Sequence, residues 1–358
     1  MHNLMAGVTI LEHELSELRL LVERQAGILL DCPNSALAAH VAEYLENQEL
    51  GSVAALLERL GGADQDPSVL PAFLDGVLNV NTGFFRHPGA MNALAKWVVP
   101  QLYARKSEDG PCTLRMWSAG CATGEEAYSI AMALCEALPN GNANGASASG
   151  NGAGPKEKTA LGRNGGGIET CTPAAAGQGT KEWSVHIVGT DLLRSAIEVA
   201  ERGLYPQSAL TGLPPATIRA CFTRIGSIAG QNGSGEGNSS GVTNGSGVGP
   251  NNGCSGTAHL LVKPRLRSLV TFNTMNLIKP VYIGRFDCIF CMDVLPHLSR
   301  AQRCALLERL HLYLEPGGYL FLSQTEKLCS SNLNFRPETF DGYTFHRKPL
   351  AASAAYGR

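Results

Sequence analysis

From Thr113 onward, short apolar strands alternate with helical segments, and this alternation restricts the fold more than any other feature of the chain. The clearest strand candidates are apolar runs at residues 113–117, 185–188, 286–291 and 319–322. Helical connections between successive strands place those strands in parallel and cover both faces of the sheet. We therefore predict an α/β fold built on a parallel sheet.

The N-terminal region has a different pattern, because its apolar side chains recur at helical spacing. A first helix carries apolar residues from Leu11 to Val22 and ends near Gly27, and Ser52 is the predicted N-cap of a later helix. Residues 1–80 hold 12 Asp and Glu against three Arg, a net charge of −9 in a chain whose net charge is −2. We predict a helical N-terminal domain over 1–80 and no nucleic-acid binding, since phosphates require a basic surface.

Two low-complexity tracts interrupt the rest of the chain, at residues 139–181 and 227–257. They contain 11 and 10 of the 41 glycines and have no periodic apolar positions. Such segments bury too little apolar surface to offset the entropy of ordering, so we expect disordered insertions. No apolar run approaches the ~20 residues that span a bilayer, and the N-terminus lacks a signal-peptide pattern, so we expect a cytoplasmic protein without membrane insertion.

The 11 cysteines are scattered, and the one close pair, Cys288 and Cys291, lies on a predicted buried strand. One pair without a second pair or a histidine cluster is weak evidence for zinc. We expect reduced, mostly buried thiols and no metal site.

The strand that begins at Thr113 leads into a glycine-containing turn, SAGCATG at residues 118–124, which a helix follows. Such a turn lets the backbone approach a nucleotide-like ligand at the carboxyl end of a parallel sheet. The turn lacks both a basic residue and GxGxxG spacing, which excludes a Walker-type phosphate cradle. Thr123 and Glu126 have the spacing of a capping box. By itself the turn is weak evidence for a particular ligand.

Asp191 ends the next predicted strand, where an acidic residue can hydrogen-bond the hydroxyls of a ribose. It lies 67 residues after Gly124, whereas a nucleoside-binding βαβ unit needs roughly 20. Without the 43-residue tract the separation is 24, so the tract is interpreted as an insertion between the first helix and the second strand. The alternative is that Asp191 is only the N-cap of the next helix.

Six segments together resemble the CheR-type chemotaxis methyltransferases, and they occur in the family's order. They are NTGFFR at 81–86, WSAGCATGEEAYSIAMAL at 117–134, GTDLLRSAIEVAERGLY at 189–205, Asn276-Leu277, FDCIFCMDVLPHL at 286–298 and LEPGGYLFLSQTEKL at 314–328.

This resemblance implies a class I S-adenosylmethionine-dependent methyltransferase sheet over residues 81–358, with a small antiparallel β subdomain inserted at 205–270. It also implies methylation of glutamate side chains on the cytoplasmic helical bundle of chemoreceptors, with S-adenosylmethionine as the cofactor. Two other functions stay open: a methyltransferase acting on another protein or a small acid, and a catalytically weak, cofactor-binding signalling module. We expect a monomer.

The resemblance also implies the residues that hold the cofactor. They are Thr82 and Arg86 beside the cofactor or in the active site, Glu125 near its methionine part, Asp191 at the ribose, and Asn276 with Leu277 on the adenine side. Met292 and Asp293 stand where the family has an Arg-Asn pair, and we expect them to contact the cofactor as well.

Arg86 and His297 are the residues expected to be catalytic. His297 stands where the family has a tyrosine that works with the arginine at the reacting carboxylate. Arg86 could instead form a salt bridge to the acidic N-terminal helices. His297 could either replace the hydrogen bond of the tyrosine or cap the helix that begins near Ser299.

Substrate docking is where the chain departs most from the family, whose N-terminal domain presents a basic helix to the acidic receptor. Residues 36–50 contain three glutamates and no Lys or Arg, and like charges disfavour docking. Positive charge lies instead in the catalytic domain and its insertion, at Arg194, Arg202, Arg224, Lys263, Arg265 and Arg267.

Overall fold

The structure is a computed structural model that describes residues 10–62, 66, 68–78, 82–109, 112–138, 183–225, 259–279, 281, 283–329 and 333–350. Both low-complexity tracts, and with them their expected disorder, lie outside the described residues.

The helices are α1 (Glu12–Ala26), α2 (Asn34–Asn47), α3 (Val53–Gly61), α4 (Val69–Val77), α5 (Pro88–Ala93), α6 (Val99–Asp109), α7 (Glu125–Ala137), α8 (Arg194–Arg202), α9 (Pro215–Cys221), α10 (Pro264–Arg267) and α11 (Arg300–Tyr313). A π-helical turn over Leu94–Val98 joins α5 to α6, and 3-10 turns cover Gln207–Leu210 and Leu295–His297. The strands are β1 (Thr113–Ala119), β2 (Ser184–Asp191), β3 (Leu204–Pro206), β4 (Phe222–Ile225), β5 (His259–Val262), β6 (Val270–Thr274), β7 (Phe286–Phe290), β8 (Leu314–Phe321), β9 (Arg336–Phe340) and β10 (Tyr343–Arg347).

The N-terminal region is helical, as its periodicity predicts, and consists of α1 to α4 in the described part. Gly27, at φ +73°, ends α1 in the left-handed conformation that glycine adopts without strain. The Ser52 hydroxyl accepts the N–H of Ala55 at 3.2 Å and so caps α3. Leucines and valines on one side of each helix are buried, including Leu18, Val22 and Leu37. At about 1.5–3 kcal/mol for each buried side chain, this apolar core holds the helices together.

A seven-stranded sheet forms the centre of the fold, in the order β6-β2-β1-β7-β8-β10-β9. The strands from β6 to β8 are parallel, which confirms the prediction from strand and helix alternation. Because β1 pairs with β2 on one side and β7 on the other, the strand order reverses at β1. In open α/β sheets this reversal opens a crevice at the carboxyl ends of the strands. A class I methyltransferase sheet is therefore present.

The sheet ends in an antiparallel hairpin, β9 and β10, that the apolar runs do not predict. Asp341 and Gly342 connect these strands with φ of +48° and +76°. Asp-Gly is a favoured pair for a tight hairpin turn, so a signal for this element was present in the sequence. Strand β6 was also missed, since VTFNT is short and half exposed.

Each face of the sheet is covered by its own apolar core. One face packs against α5, α6, α7 and the small β subdomain. The other packs against α11 and the N-terminal helices, with Trp117 of β1 among its largest buried side chains. The indole N–H of Trp117 donates to the Thr190 hydroxyl at 2.9 Å, which satisfies a buried donor between β1 and β2.

A separate three-stranded antiparallel sheet, in the order β3-β5-β4, is inserted between β2 and β6. This is the small antiparallel subdomain that the resemblance implies. The Phe84 ring packs against Tyr205 and Phe222 at centroid distances of 4.9 and 5.3 Å. The loop before α5 is thus anchored to the subdomain.

The described cysteines are free, and several of them, including Cys288 and Cys291, are buried. Burial raises the pKa of both thiols well above the usual range, as expected for thiols that pack as apolar side chains. Among the described residues, no helix combines the length and the apolar composition that a bilayer crossing requires.

Candidate active site

A cavity of about 430 Å³ lies at the carboxyl ends of β1, β2 and β7, where the strand order reverses. Its wall is formed by the β1–α7 turn, the end of β2, and the segments that follow β6 and β7. Ala26 and Ile28, from the end of α1 and the chain just after it, also line it. The cavity therefore lies where ligands bind in open α/β sheets.

The β1–α7 turn is tight because two glycines adopt positive φ, +87° at Gly120 and +94° at Gly124. A Cβ atom on Gly120 would collide with the side chain of Val294. The N–H groups of Gly120 and Cys121 both donate to the Thr190 carbonyl, at 2.8 and 2.9 Å. The turn is thus folded over the end of β2.

Gly124 is the N-cap of α7, which begins at Glu125. The capping box predicted from Thr123 and Glu126 is therefore wrong. The Thr123 hydroxyl donates instead to the Glu125 carboxylate at 2.7 Å.

Asp191 joins the two sides of the crevice. One carboxylate oxygen accepts the N–H of Ala122 in the β1–α7 turn at 2.9 Å, and the other accepts the N–H of Leu193 at 3.0 Å. Leu193 is the N-cap of α8, so the interpretation of Asp191 as the cap of that helix is wrong. Burial raises the pKa of Asp191. A carboxylate has about four lone-pair sites, so Asp191 retains capacity to accept a hydroxyl.

The two glutamates that begin α7 have different surroundings, since successive helical residues point about 100° apart. Glu125 is buried and hydrogen-bonds to the side chains of Thr123 and Thr82. Thr82 is among the residues that line the cavity, and Glu125 is not. Glu126 lines the cavity and accepts the Ser118 hydroxyl at 2.6 Å. Burial raises the pKa of Glu126 to about 7. Sequence reasoning missed Glu126 because it assigned that residue to a helix cap.

Arg86 lies in the loop before α5 and lines the cavity. Its guanidinium is 3.3 Å from a carboxylate oxygen of Asp293, and His87 Nε2 is 2.8 Å from the same oxygen. The N–H of Phe85 donates to the Ser129 hydroxyl at 2.9 Å, which fixes the loop against α7. Arg86 therefore forms an ion pair with Asp293, which follows β7 of the central sheet. The acidic N-terminal helices were the alternative partner expected from the sequence.

Glu326, in the segment after β8, holds the loop that carries Asp293. Its two oxygens accept the N–H groups of Asp293, Leu295 and Ser323 at 3.2, 2.9 and 2.8 Å. Asp293 has φ of +58°, an uncommon conformation for a residue with a side chain. Sequence reasoning missed Glu326, although an acidic residue just beyond the carboxyl end of a strand was the available signal.

Asn276 and Leu277 line the cavity on the side of the N-terminal helices. The Asn276 side chain accepts the N–H of Ile278 at 3.0 Å and donates to the Gln25 carbonyl at 3.3 Å. Ile28 forms an isolated antiparallel bridge with Leu298. The N-terminal helices thus close one side of the cavity, which the sequence pattern did not predict.

Met292 and His297 complete the positions assigned from the resemblance. Met292 is buried and lines the cavity, and His297 lines it from an exposed position in a 3-10 turn. The N-cap of α11 is Ser299, so the interpretation of His297 as the helix cap is wrong. The His297 carbonyl accepts the N–H of Leu29 at 2.8 Å.

The parallel sheet and the cavity at its switch point agree with the S-adenosylmethionine-dependent methyltransferases that the motifs resemble. The family model described as "CheR methyltransferase, SAM binding domain" matches residues 80–148 and 253–343. Residues 80–148 and 253–343 of this chain are therefore similar to the S-adenosylmethionine-binding domain of the CheR methyltransferases.

Curated relatives and a solved structure are similar to the chain. It is 27% identical over 313 residues to Chemotaxis protein methyltransferase 1 of Pseudomonas aeruginosa, covering 87% of this chain and 88% of that protein. It is 26% identical to Chemotaxis protein methyltransferase Cher2 of Pseudomonas putida, covering 88% of this chain and 90% of that protein. The magnesium protoporphyrin IX methyltransferase (ChlM) structure from Synechocystis PCC 6803 with bound SAM is 12% identical, covers 86% of this chain and 93% of that chain, and has a TM-score of 0.30, too low to support a functional conclusion.

The cavity residues fit S-adenosylmethionine in their chemistry. Asp191 offers a carboxylate to ribose hydroxyls, and Leu277 with its neighbour Ile278 offers an apolar wall to an adenine ring. Glu126 and Asp293 offer carboxylates to a cofactor that carries an ammonium and a sulfonium. Opposite charges attract strongly where water is partly excluded.

Proposed function

We propose that this protein methylates glutamate side chains of chemoreceptors with S-adenosylmethionine. The observation that carries the proposal is Arg86, a guanidinium in the wall of the same cavity that contains Asp191 and Glu126. A guanidinium binds a carboxylate through two parallel hydrogen bonds. The cavity therefore combines groups for a cationic nucleoside cofactor with a group for an acidic acceptor.

The acceptor needs no general base, because a glutamate of ordinary pKa near 4.3 is already ionised at neutral pH. When bound, the cofactor supplies a methyl group on a positively charged sulfur: a carboxylate oxygen forms the new C–O bond as the C–S bond breaks, and the thioether leaves. The task of the protein is to align the acceptor and to exclude water. Alignment of this kind can lower a barrier by roughly 7–11 kcal/mol.

Arg86 and His297 are the side chains that we assign to the acceptor. Arg86 would orient the carboxylate, and His297 would donate a second hydrogen bond from its exposed position in the wall. Phe85 and Met292 add apolar surface to the same wall, which favours water exclusion. We propose that the following residues hold the cofactor, directly or through a neighbouring side chain: Thr82, Glu125, Asp191, Asn276 and Leu277.

Receptor docking would use the small β subdomain rather than the N-terminal helices. Lys263 is the N-cap of α10, and Arg265 and Arg267 lie on that helix. Each of the three donates to a backbone carbonyl at 2.6–3.0 Å. On α2, by contrast, Glu43 and Glu46 are exposed. We propose that the acidic helical bundle of a receptor contacts this basic surface, and that the enzyme acts as a monomer.

The experiment is incubation of the full chain with methyl-labelled S-adenosylmethionine and the cytoplasmic fragment of a receptor from the same organism. The expected result is base-labile label on the receptor, since methyl esters hydrolyse in base. Receptor fragments with Glu→Gln at the labelled positions are the matched control and should stay unlabelled. Label on a different protein or on a small acid would replace the receptor as substrate, and cofactor binding without transfer to any acceptor would favour the signalling module.

A further inference from the structure

Asp293 places a carboxylate of the protein itself against Arg86. A single oxygen, Oδ2, is 3.3 Å from the Arg86 guanidinium and 2.8 Å from His87 Nε2. Asp293, Arg86 and His87 all line the cavity. The Asp293 carboxylate therefore occupies the space beside Arg86 where the carboxylate of an acceptor would be held.

The backbone holds this carboxylate in place. The left-handed conformation of Asp293 and the hydrogen bond from its N–H to Glu326 fix the direction of the side chain. The next bond from Glu326, to the N–H of Leu295, fixes the loop on the other side. Asp293 is thus presented to Arg86 by a constrained loop.

The charge of the cavity wall follows from this arrangement. Asp191 and Asp293 contribute carboxylates, and the Asp293 carboxylate offsets the positive charge of Arg86. The wall favours a cationic cofactor and disfavours a second carboxylate. An acceptor whose only polar group is a carboxylate should therefore bind weakly in this cavity.

We propose that Asp293 determines acceptor specificity by occupying the carboxylate-binding side of Arg86, from which the acceptor glutamate must displace it. The inference rests on the proposed function and deepens it. A receptor gains additional binding energy from contacts between its surface and the enzyme, and this energy allows its glutamate to displace Asp293. A free dicarboxylic acid makes no such surface contacts. Asp293 therefore selects glutamate side chains of a protein over small acids.

The size of the effect follows from the exposure of the pair. The side chains of Arg86 and Asp293 are 38% and 34% exposed, so solvent screens their attraction. Ion pairs of this exposure correspond to a change of about two- to fivefold in a binding constant. Removing the Asp293 charge should lower the KM for the receptor by that factor.

The test compares Asp293→Asn with a matched control, Asp341→Asn. Asp341 is also an aspartate with positive φ, +48°, but it accepts a hydrogen bond from Asn92 and is outside the described cavity wall. Two quantities are measured for each variant. One is the steady-state kinetics with the receptor fragment, and the other is the affinity for glutarate of the protein saturated with S-adenosylhomocysteine. We expect Asp293→Asn to lower KM and tighten glutarate binding about two- to fivefold, and Asp341→Asn to change neither.

A double variant separates specificity from folding. If Asp293 acts through Arg86, the gain from Asp293→Asn should disappear in an Arg86→Gln background, whereas a general loosening of the loop would persist there. Unchanged glutarate binding in Asp293→Asn, or a gain that survives in the double variant, would overturn the proposal. If the wild-type chain labels no receptor, the proposed function fails, and glutarate binding still decides the role of Asp293.

Discussion

Replacing Glu126 by Gln should stabilise the protein above neutral pH and have little effect in acid. Burial, with a smaller contribution from the carboxylates of Asp293 and Glu326, raises the pKa of Glu126 from the ordinary 4.5 to about 7. Between these two values the folded protein keeps a proton that the unfolded chain releases. The free energy of unfolding therefore falls as the pH rises from about 4.5 to about 7, and stays low above that.

The difference between 4.5 and about 7 corresponds to about 3 kcal/mol, at 1.36 kcal/mol for each pH unit. This figure is an upper limit, because Glu126 is only partly buried and borders a cavity. We expect the Gln variant to gain about 1–3 kcal/mol at pH 8.5, since an uncharged amide needs no compensation for burial. At pH 5 the wild-type carboxyl is largely protonated, and the gain should be a few tenths of a kcal/mol at most.

The assay is urea unfolding followed by circular dichroism at pH 5 and pH 8.5. Glu136→Gln is the matched control, because Glu136 lies on the same helix but is exposed. Only Glu126→Gln should show a pH-dependent gain in the free energy of unfolding. Equal effects of the variant at both pH values, or a loss of stability at pH 8.5, would refute the argument that the Glu126 carboxylate is buried without full compensation.

Three further predictions concern binding and turnover. Asp191→Asn should weaken S-adenosylmethionine binding by roughly 1–3 kcal/mol in calorimetry, because a charged acceptor is lost, and unchanged affinity would remove Asp191 from the ribose site. Arg86→Lys keeps the charge but loses the planar fork, so kcat with a receptor fragment should fall while thermal unfolding stays the same, and full activity would exclude Arg86 from the mechanism. Raising the salt concentration should increase the KM for the receptor, and Arg265→Glu should mimic that increase at low salt; a KM independent of both would rule out docking on the basic subdomain.

Local patterns predicted several elements well, because their cause is local. Gly27 ends α1 since glycine adopts a positive φ without strain, and Ser52 caps α3 with its own hydroxyl. The strand that ends at Asp191 was found from its apolar run, and the spacing to Gly124 became interpretable once the low-complexity tract was removed. The six motif segments indicated the family and the cofactor.

Pairings between distant segments were not accessible in the same way. The apolar pattern of Arg336–Phe340 and Tyr343–Arg347 is too short to identify strands, and these segments become strands by pairing with each other and with β8. Which of two adjacent glutamates faces the cavity depends on where α7 begins, and Gly124 rather than Thr123 is its N-cap. The capping box expected of Glu126 is absent, and Glu126 rather than Glu125 lines the cavity.

The sequence by itself determined the parallel sheet, the helical N-terminal region and the position of the nucleoside-type crevice, because periodicity, glycine conformation and motif spacing act over a few residues. Only the tertiary structure decided that Arg86 meets Asp293, 207 positions away along the chain, and that Ile28 closes the cavity by pairing with Leu298. Such contacts depend on how the loops at the carboxyl ends of the strands converge. That convergence is set by the packing of the whole sheet, which no single segment encodes.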